Sequence, residues 1–268
     1  MKAKLRISML GLLLVCIAMP VSAWQVPTIA APTNRDRLWQ LVHDVCLPAA
    51  LQGTYPPLPC IEVTRPSDPV QGYVVFKDRD GRYQYLVMPL ARITGIESPA
   101  LLAADARNYF ADAWEARLYV EAALHRGLSR DAVSLAVNSA QGRSQDQLHI
   151  HVDCIRTDVH AVLQQHLPEI SGAWRTLSEP LPPYGHVYRA MWLDGEALIA
   201  SPFKLLAQSL PAGTRMAEQS LAVVGARKPT GEPGFVLLNG HVDGSAKDRG
   251  HAEELQDVDC AIASPLSH

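Results

Sequence analysis

Gln147-Leu148-His149-Ile150-His151-Val152 alternates an amide and two imidazoles with apolar side chains. A period of two is that of a β-strand buried on one face. Gln147, His149 and His151 are expected to project side by side, with Leu148, Ile150 and Val152 anchoring the opposite face in a core. Two imidazoles and an amide at that spacing suit phosphate chemistry, in which one ring nitrogen attacks and its neighbours hold charged oxygens. Two plainer explanations compete. Alternating histidines arise by accident on edge strands, and a His-x-His pair can be half of a zinc site. Gln147 is a poor zinc ligand, and no second His/Cys cluster at ligand spacing occurs, so neither a metal nor a cofactor is expected.

The chain has 268 residues, 48% apolar and 19% charged, a globular balance. Residues 1–23 carry Lys2, Lys4 and Arg6 and no acids, then an apolar run from Ile7 to Pro20, then Val21-Ser22-Ala23. This pattern reads as a cleaved signal peptide or as a single N-terminal membrane anchor. In either case the body is exported: a periplasmic catalytic body on the bacterial inner membrane, or a soluble periplasmic one. The body itself holds 21 basic against 27 acidic side chains. Nucleic acid is therefore excluded as a partner, and anionic membrane gains nothing from its charge. Export makes disulfides expected. Cys46, Cys60, Cys154 and Cys260 allow three pairings. Cys46–Cys60, which closes a short Pro-rich loop, and Cys154–Cys260 are favoured over the other two and over four buried thiols.

Outward from the histidine strand, Asn34 to Leu51 reads as a helix with an apolar stripe of Leu38, Leu41, Val42 and Val45. Tyr73–Phe76 and Tyr83–Met88 read as strands joined by an Asp78-Arg79-Asp80-Gly81 turn. Ser98-Pro99 opens a helix, a longer one runs from about Asp105 to Leu124 and ends at Gly127, and Val133–Val137 is a strand. Tyr109, Phe110 and Trp114 are expected in the core. His125, His160, His166, His186, His241, His251 and His268 fall in no partner pattern and are read as surface or structural. Three segments recur in order: Ser98-Pro99 as Ser201-Pro202, Leu135-Ala136-Val137-Asn138 as Val236-Leu237-Leu238-Asn239, and Val152-Asp153-Cys154 as Val258-Asp259-Cys260. They suggest a duplicated unit of about a hundred residues, with Glu254–Asp257 standing where the first copy has its histidines. Two unrelated αβ segments are the competing account.

Phe76-Lys77-Asp78, Tyr85–Ile93, Asn138 and Ser144-Gln145-Asp146-Gln147-Leu148-His149-Ile150-His151 together resemble the histidine-triad superfamily. Within it, Arg143-Ser144-Gln145, His149-Ile150-His151 and Asp153-Cys154-Ile155-Arg156 resemble the CDP-diacylglycerol pyrophosphatase family over most of the body. The resemblance implies an α+β fold, with helices packed on an antiparallel sheet. The expected organisation is a catalytic unit over 34–160 and a degenerate second unit over 161–262, which together imitate, in one monomeric chain, the homodimer that many histidine-triad proteins form. It also implies hydrolysis of CDP-diacylglycerol, drawn from the membrane, to CMP and phosphatidate, with water as second substrate.

The triad pattern is His, apolar, His, apolar, His, and the chain departs from it at Gln147. Counted from Ser144, His149 is the middle residue and the implied nucleophile, and His151 the last. A register shifted by two would promote His151 and Asp153 but leave Ser144 too far upstream. Phosphatidate is a stable leaving group, its second pKa being near 6, which makes Gln147 tolerable at the first position; its amide is expected to donate to phosphate or to the leaving group. Asn138, Ser144 and Arg143 are implied phosphate or sugar contacts, and Asp78 the ribose-binding acid. Two rival functions remain: a pyrophosphatase or nucleotidyl transferase acting on soluble CDP-alcohols or nucleotide sugars, and a non-catalytic nucleotide-binding module.

Overall fold

Short branched and aromatic runs assemble one antiparallel sheet in the computed structural model, which describes residues 34–263. The targeting segment expected at 1–23 lies outside the described residues. The strands are β1 (Cys60–Thr64), β2 (Tyr73–Lys77), β3 (Tyr85–Pro89), β4 (Val133–Val137), β5 (Ile150–Ile155), β6 (Arg175–Thr176), β7 (Arg189–Asp194), β8 (Gln219–Arg227), β9 (Pro233–His241) and β10 (Gln256–Asp257). They lie in the order β1-β2-β3-β5-β4-β8-β9-β7-β6, and β10 adds to β5. The architecture is thus α+β on a large antiparallel sheet, as expected.

An N-terminal helical segment runs through α1 (Arg37–Gln40), a π turn (Leu41–Cys46) and α2 (Leu47–Leu51). The π turn rotates the expected stripe: Val42 and Cys46 are buried, whereas Val45 is 43% exposed. Helix α3 (Tyr109–Leu124) starts later than expected, after Asn108, whose side-chain amide donates to the carbonyls of Leu198, Ile199 and Ala200. Its C-cap is His125 at φ 54°, ahead of Gly127. The remaining helices are α4 (Thr157–His166) and α5 (Pro202–Ser209).

Period-two alternation sorts the strand side chains onto two faces. On one face Val87, Leu135, Val152, Val223 and Leu237 form a core with α3 and α5, including Tyr109, Phe110 and Trp114. The other face is covered in two blocks. The N-terminal helical segment packs on Val74, Leu86 and Met88. Helix α4 and the segment after β9 pack on Ala136, Ala222, Val236 and Leu238. Strand β5 runs between these blocks, and its polar face lies in the gap.

Both favoured disulfides are present, Cys46–Cys60 and Cys154–Cys260, with Cα atoms 5.8 and 5.2 Å apart. The first ties the N-terminal helical segment to β1; the second ties β5 to the C-terminal segment. Of the recurring sequence segments, Ser98-Pro99 and Ser201-Pro202 each open a helical turn in the crossover that leads to a middle strand, β4 or β8. The other two pairs do not occupy equivalent places: the neighbour of β4 at the middle of the sheet is β8, not β9, and Val258–Cys260 follows β10, which pairs with the histidine strand itself.

Candidate active site

The histidine strand begins later than its sequence alternation suggests. β5 starts at Ile150, and Gln147–His149 form the extended approach to it, held by the Leu148 N–H donating to the Ile93 carbonyl at 2.6 Å. Alternation still puts His149 and His151 on one face, with ring centroids 4.9 Å apart. They sit in a cleft of about 840 Å³ whose walls are the N-terminal helical segment, the end of β2 with the turn after it, and the loop carrying Ser144. Leu38, Leu41, Phe76 and Leu86 make its apolar side; Lys77, Asp78 and Ser144 make its polar side.

The ring of His149 is fixed by one bond. Its Nδ1 lies 2.7 Å from the Gln147 carbonyl oxygen. A carbonyl only accepts, so Nδ1 carries the proton and Nε2 keeps its lone pair. Burial, reinforced by the neighbouring charge of His151, pushes the His149 pKa down to about 4. The imidazole is therefore neutral at pH 7 and its Nε2 is a competent nucleophile.

His151 has the opposite electrostatics. Its Nε2 is 3.0 Å from Glu253 Oε2. Burial disfavours its charge, but the Glu253 carboxylate outweighs burial and raises its pKa. Glu253 in turn is held down at about 2, chiefly by the His151 charge. Two imidazoles 4.9 Å apart thus hold opposite protonation preferences, the separation that divides a nucleophile from a charge-stabilising group. Two residues further along β5, the buried Asp153 carboxyl is pushed up to about 7 by burial, and its Oδ2 has no partner among the described residues.

The cleft brings together His149, His151, Ser144 and Asp78. Asn138, at the end of β4, reaches a small cavity behind His149, where its Oδ1 accepts the Glu253 N–H at 3.3 Å. It helps to place the Glu253 turn. Two expected contacts are spent elsewhere. Both Gln147 amide hydrogens go to backbone carbonyls, Pro89 at 2.9 Å and Ala91 at 3.0 Å, so this buried amide anchors the strand and has no hydrogen left to donate. Arg143 is bidentate to Glu97 at 2.7 and 2.8 Å and bonds Asp146 at 3.0 Å. Asp146 also takes two bonds from Arg35. This Arg35–Asp146–Arg143–Glu97 chain pins the Ser144 loop, and its arginines are neutralised rather than offered to phosphate.

Two site residues escaped the sequence reading. Lys77 lines the cleft and donates to the carbonyls of Asp78, at 2.8 Å, and Gly81. Glu253 comes from the far end of the chain. Its signal was available: if Cys260 is bonded to Cys154, the acidic residues just before Cys260 must return to the histidine strand.

The family model for CDP-diacylglycerol pyrophosphatase matches residues 33–264. The chain belongs to the CDP-diacylglycerol pyrophosphatase family. A relative from Yersinia pestis described by that name is 38% identical over 236 residues, covering 87% of each chain. The match to this pyrophosphatase family spans all three walls of the cleft and includes Glu253, so the histidine strand and the returning carboxylate fall within one family unit.

Proposed function

We propose that this chain hydrolyses the pyrophosphate bond of CDP-diacylglycerol, releasing CMP and phosphatidate, with His149 as nucleophile. The observation that carries the mechanism is the 2.7 Å bond from His149 Nδ1 to the Gln147 carbonyl, which leaves the Nε2 lone pair for attack. Nε2 bonds to the cytidylyl phosphorus while the bond from that phosphorus to the bridging oxygen breaks. The electron pair leaves with phosphatidate. A water oxygen then bonds to the same phosphorus, the N–P bond breaks, and one water proton is released with CMP. Protonated His151, held by Glu253, offsets charge on the phosphate oxygens. With the Gln147 amide occupied, His151 is the strand's remaining donor, and phosphatidate leaves without a dedicated acid.

The fold reading is a histidine-triad-like pair of units in one chain. It is supported by the sheet order: outward from β4–β8, each side continues through its hairpin partner (β5, β9) and then a strand joined to the middle by a helix-bearing crossover (β3 through α3, β7 through α5). The localisation reading is a periplasmic body on an N-terminal anchor. Its support is the basic-then-apolar start of the sequence and the two disulfides; among the described residues no helix is long and apolar enough to cross a membrane. An anchor would keep the cleft near a substrate whose acyl chains hold it in the bilayer at ~0.8 kcal/mol per CH₂.

Rapid acid quenching with CDP-diacylglycerol labelled in the cytidylyl phosphate tests the chemistry. Label is expected on the parent protein and not on His149→Ala; an unlabelled parent during turnover removes the covalent step. Faster turnover of CDP-choline or ADP-glucose than of the lipid would move the substrate assignment to soluble nucleotides. Amino-terminal sequencing of the exported protein tests the anchor, because Trp24 as first residue would exclude it.

A further inference from the structure

Behind the His151–Glu253 pair lies a second group of buried ionisable side chains that takes no part in the mechanism above. Glu254 Oε1 accepts from the Tyr188 hydroxyl at 2.9 Å and lies 2.8 Å from His186 Nδ1. Asp248 Oδ2 is 3.6 Å from the same nitrogen. The side chains of His186, Asp248 and Glu254 are all less than a tenth exposed, and Tyr188 belongs to the core over β9. Burying a carboxylate is costly unless donors meet it. Here the donors come from the chain around β7, in the second half.

Glu253 and Glu254 are neighbours on one short 3₁₀ turn, Ala252–Leu255. Successive residues of such a turn point in different directions. Glu253 faces His151 and Glu254 faces His186 and Tyr188. Ala252 and Leu255 are buried in the core around them. On either side the backbone is stitched down: the Ser139 N–H donates to Gly250 O at 2.9 Å and the Arg156 N–H to Leu255 O at 3.0 Å. Gly250, at φ +69°, makes the bend that starts the turn, and a Cβ there would lie 2.8 Å from that of Ser139. These contacts fix where the turn sits. The Glu253 N–H also donates to Asn138 Oδ1 at 3.3 Å, and the Glu254 carboxylate adds a side-chain contact that bears on the turn's rotation about its own axis.

We infer that Glu254, clamped by His186 and Tyr188, is a positioning residue that holds Glu253 on His151, so that the second half of the chain sets the electrostatics of the histidine strand in the first. The inference rests on the assignment of protonated His151 to charge stabilisation. The titratable groups around His151 are His149 and Asp153 on its own strand, Asp78 after β2, and Glu253 with His251 nearby on the returning segment. Of these, Glu253 alone is in contact with its Nε2. If the clamp is cut, Glu254 turns towards water, Glu253 rotates off His151, and His151 loses its proton at lower pH.

The experiment measures kcat on CDP-diacylglycerol in detergent micelles from pH 5 to 9, for the parent protein, Glu253→Gln, Tyr188→Phe, and the double variant His186→Asn/Tyr188→Phe. Glu253→Gln is expected to move the alkaline limb to lower pH, with a loss of about tenfold at pH 8 and less than about twofold at pH 6. The double variant should reproduce that shift; Tyr188→Phe, which removes a single hydroxyl and keeps the ring in the core, should move the limb the same way by less. If the double variant does not fold, Tyr188→Phe decides. An unmoved limb in the clamp variants, beside a moved one in Glu253→Gln, overturns the clamp and spares the His151 assignment. An unmoved limb in Glu253→Gln overturns that assignment, and the clamp with it.

Discussion

Strands β5 and β9 each lie one place out from the β4–β8 pair, and one face of each tells a different story. On β9 that face carries Val236 and Leu238, sealed by Leu181, Tyr188 and Trp192. On β5, with its approach, the corresponding face carries His149, His151 and Asp153, and among the described residues no apolar block covers the histidines. Covering blocks stand on either side of it, the N-terminal helical segment over β1–β3 and α4 with the C-terminal segment over β4 and β8. The cleft is the seam between them. One sheet thus contains a strand whose polar face lines a cleft and a strand whose matching face is sealed in the core. The difference is made by what lies on the strands as much as by their own sequences.

The comparison can be broken most sharply by exchanging the readouts. His149→Ala should lower kcat by at least about 10⁴-fold, as loss of a covalent nucleophile does, while leaving the urea midpoint close to that of the parent. A comparable loss of stability would place His149 in the core instead. Leu238→Ala should do the reverse. It should cost ~2–5 kcal/mol in urea unfolding and leave kcat of the folded fraction within about twofold; a large fall in kcat with intact stability would mean that β9 carries chemistry too. Arg143→Met probes the edge of the seam. Glu97 and Asp146 would lose their buried partner, at a cost of ~3 kcal/mol or more, and Arg143→Lys should not restore the bidentate clamp.

Asp153 sharpens the contrast in a smaller way. An unfolded aspartate ionises near 4, whereas the folded one does so at about 7. The fold favours the protonated form, so its contribution is fully present below about pH 4 and is lost as pH rises to about 7. Asp153→Asn should therefore gain nothing at pH 4 and roughly 2–4 kcal/mol at pH 8, read from urea melts at the two pH values. An equal effect at both would show that Asp153 is not neutral in the fold. The smallest expected signal is the acid limb of kcat. In the proposed mechanism His149 must be neutral to attack, and burial holds its pKa down at about 4, so activity should persist well below pH 6.5 and fall as pH drops through about 4. A limb at 6.5 would mean an exposed, unperturbed ring.

Local pattern made the chemical strand legible. The alternation at 147–152 survives as two rings on one face although β5 itself starts at Ile150. The hairpin of β2 and β3, the strand at 133–137 and both disulfides could also be read from residue types and spacing. Apart from the Cys154–Cys260 bond, contacts between distant segments could not. Gln147 looks like a donor until Pro89 and Ala91 are seen beside it, and Arg143 looks like a phosphate ligand until Glu97 is. The π turn that exposes Val45 is a backbone event with no periodic signature. Glu253 lies about a hundred residues along the chain from the histidines, and Gln256–Asp257, just after it, pair with the histidine strand.

The bond between Cys154 and Cys260 joins cysteines 106 residues apart. A chain is made from its N-terminus at about 5–20 residues per second, so the histidine strand emerges roughly 5–20 s before the segment that supplies Glu253. A nascent chain at that stage holds both imidazoles but lacks Glu253, the carboxylate in contact with the second one. The order of synthesis thus keeps the site unfinished until the segment that carries Glu253 has been made, and sealing it falls to Cys260, which follows on that segment.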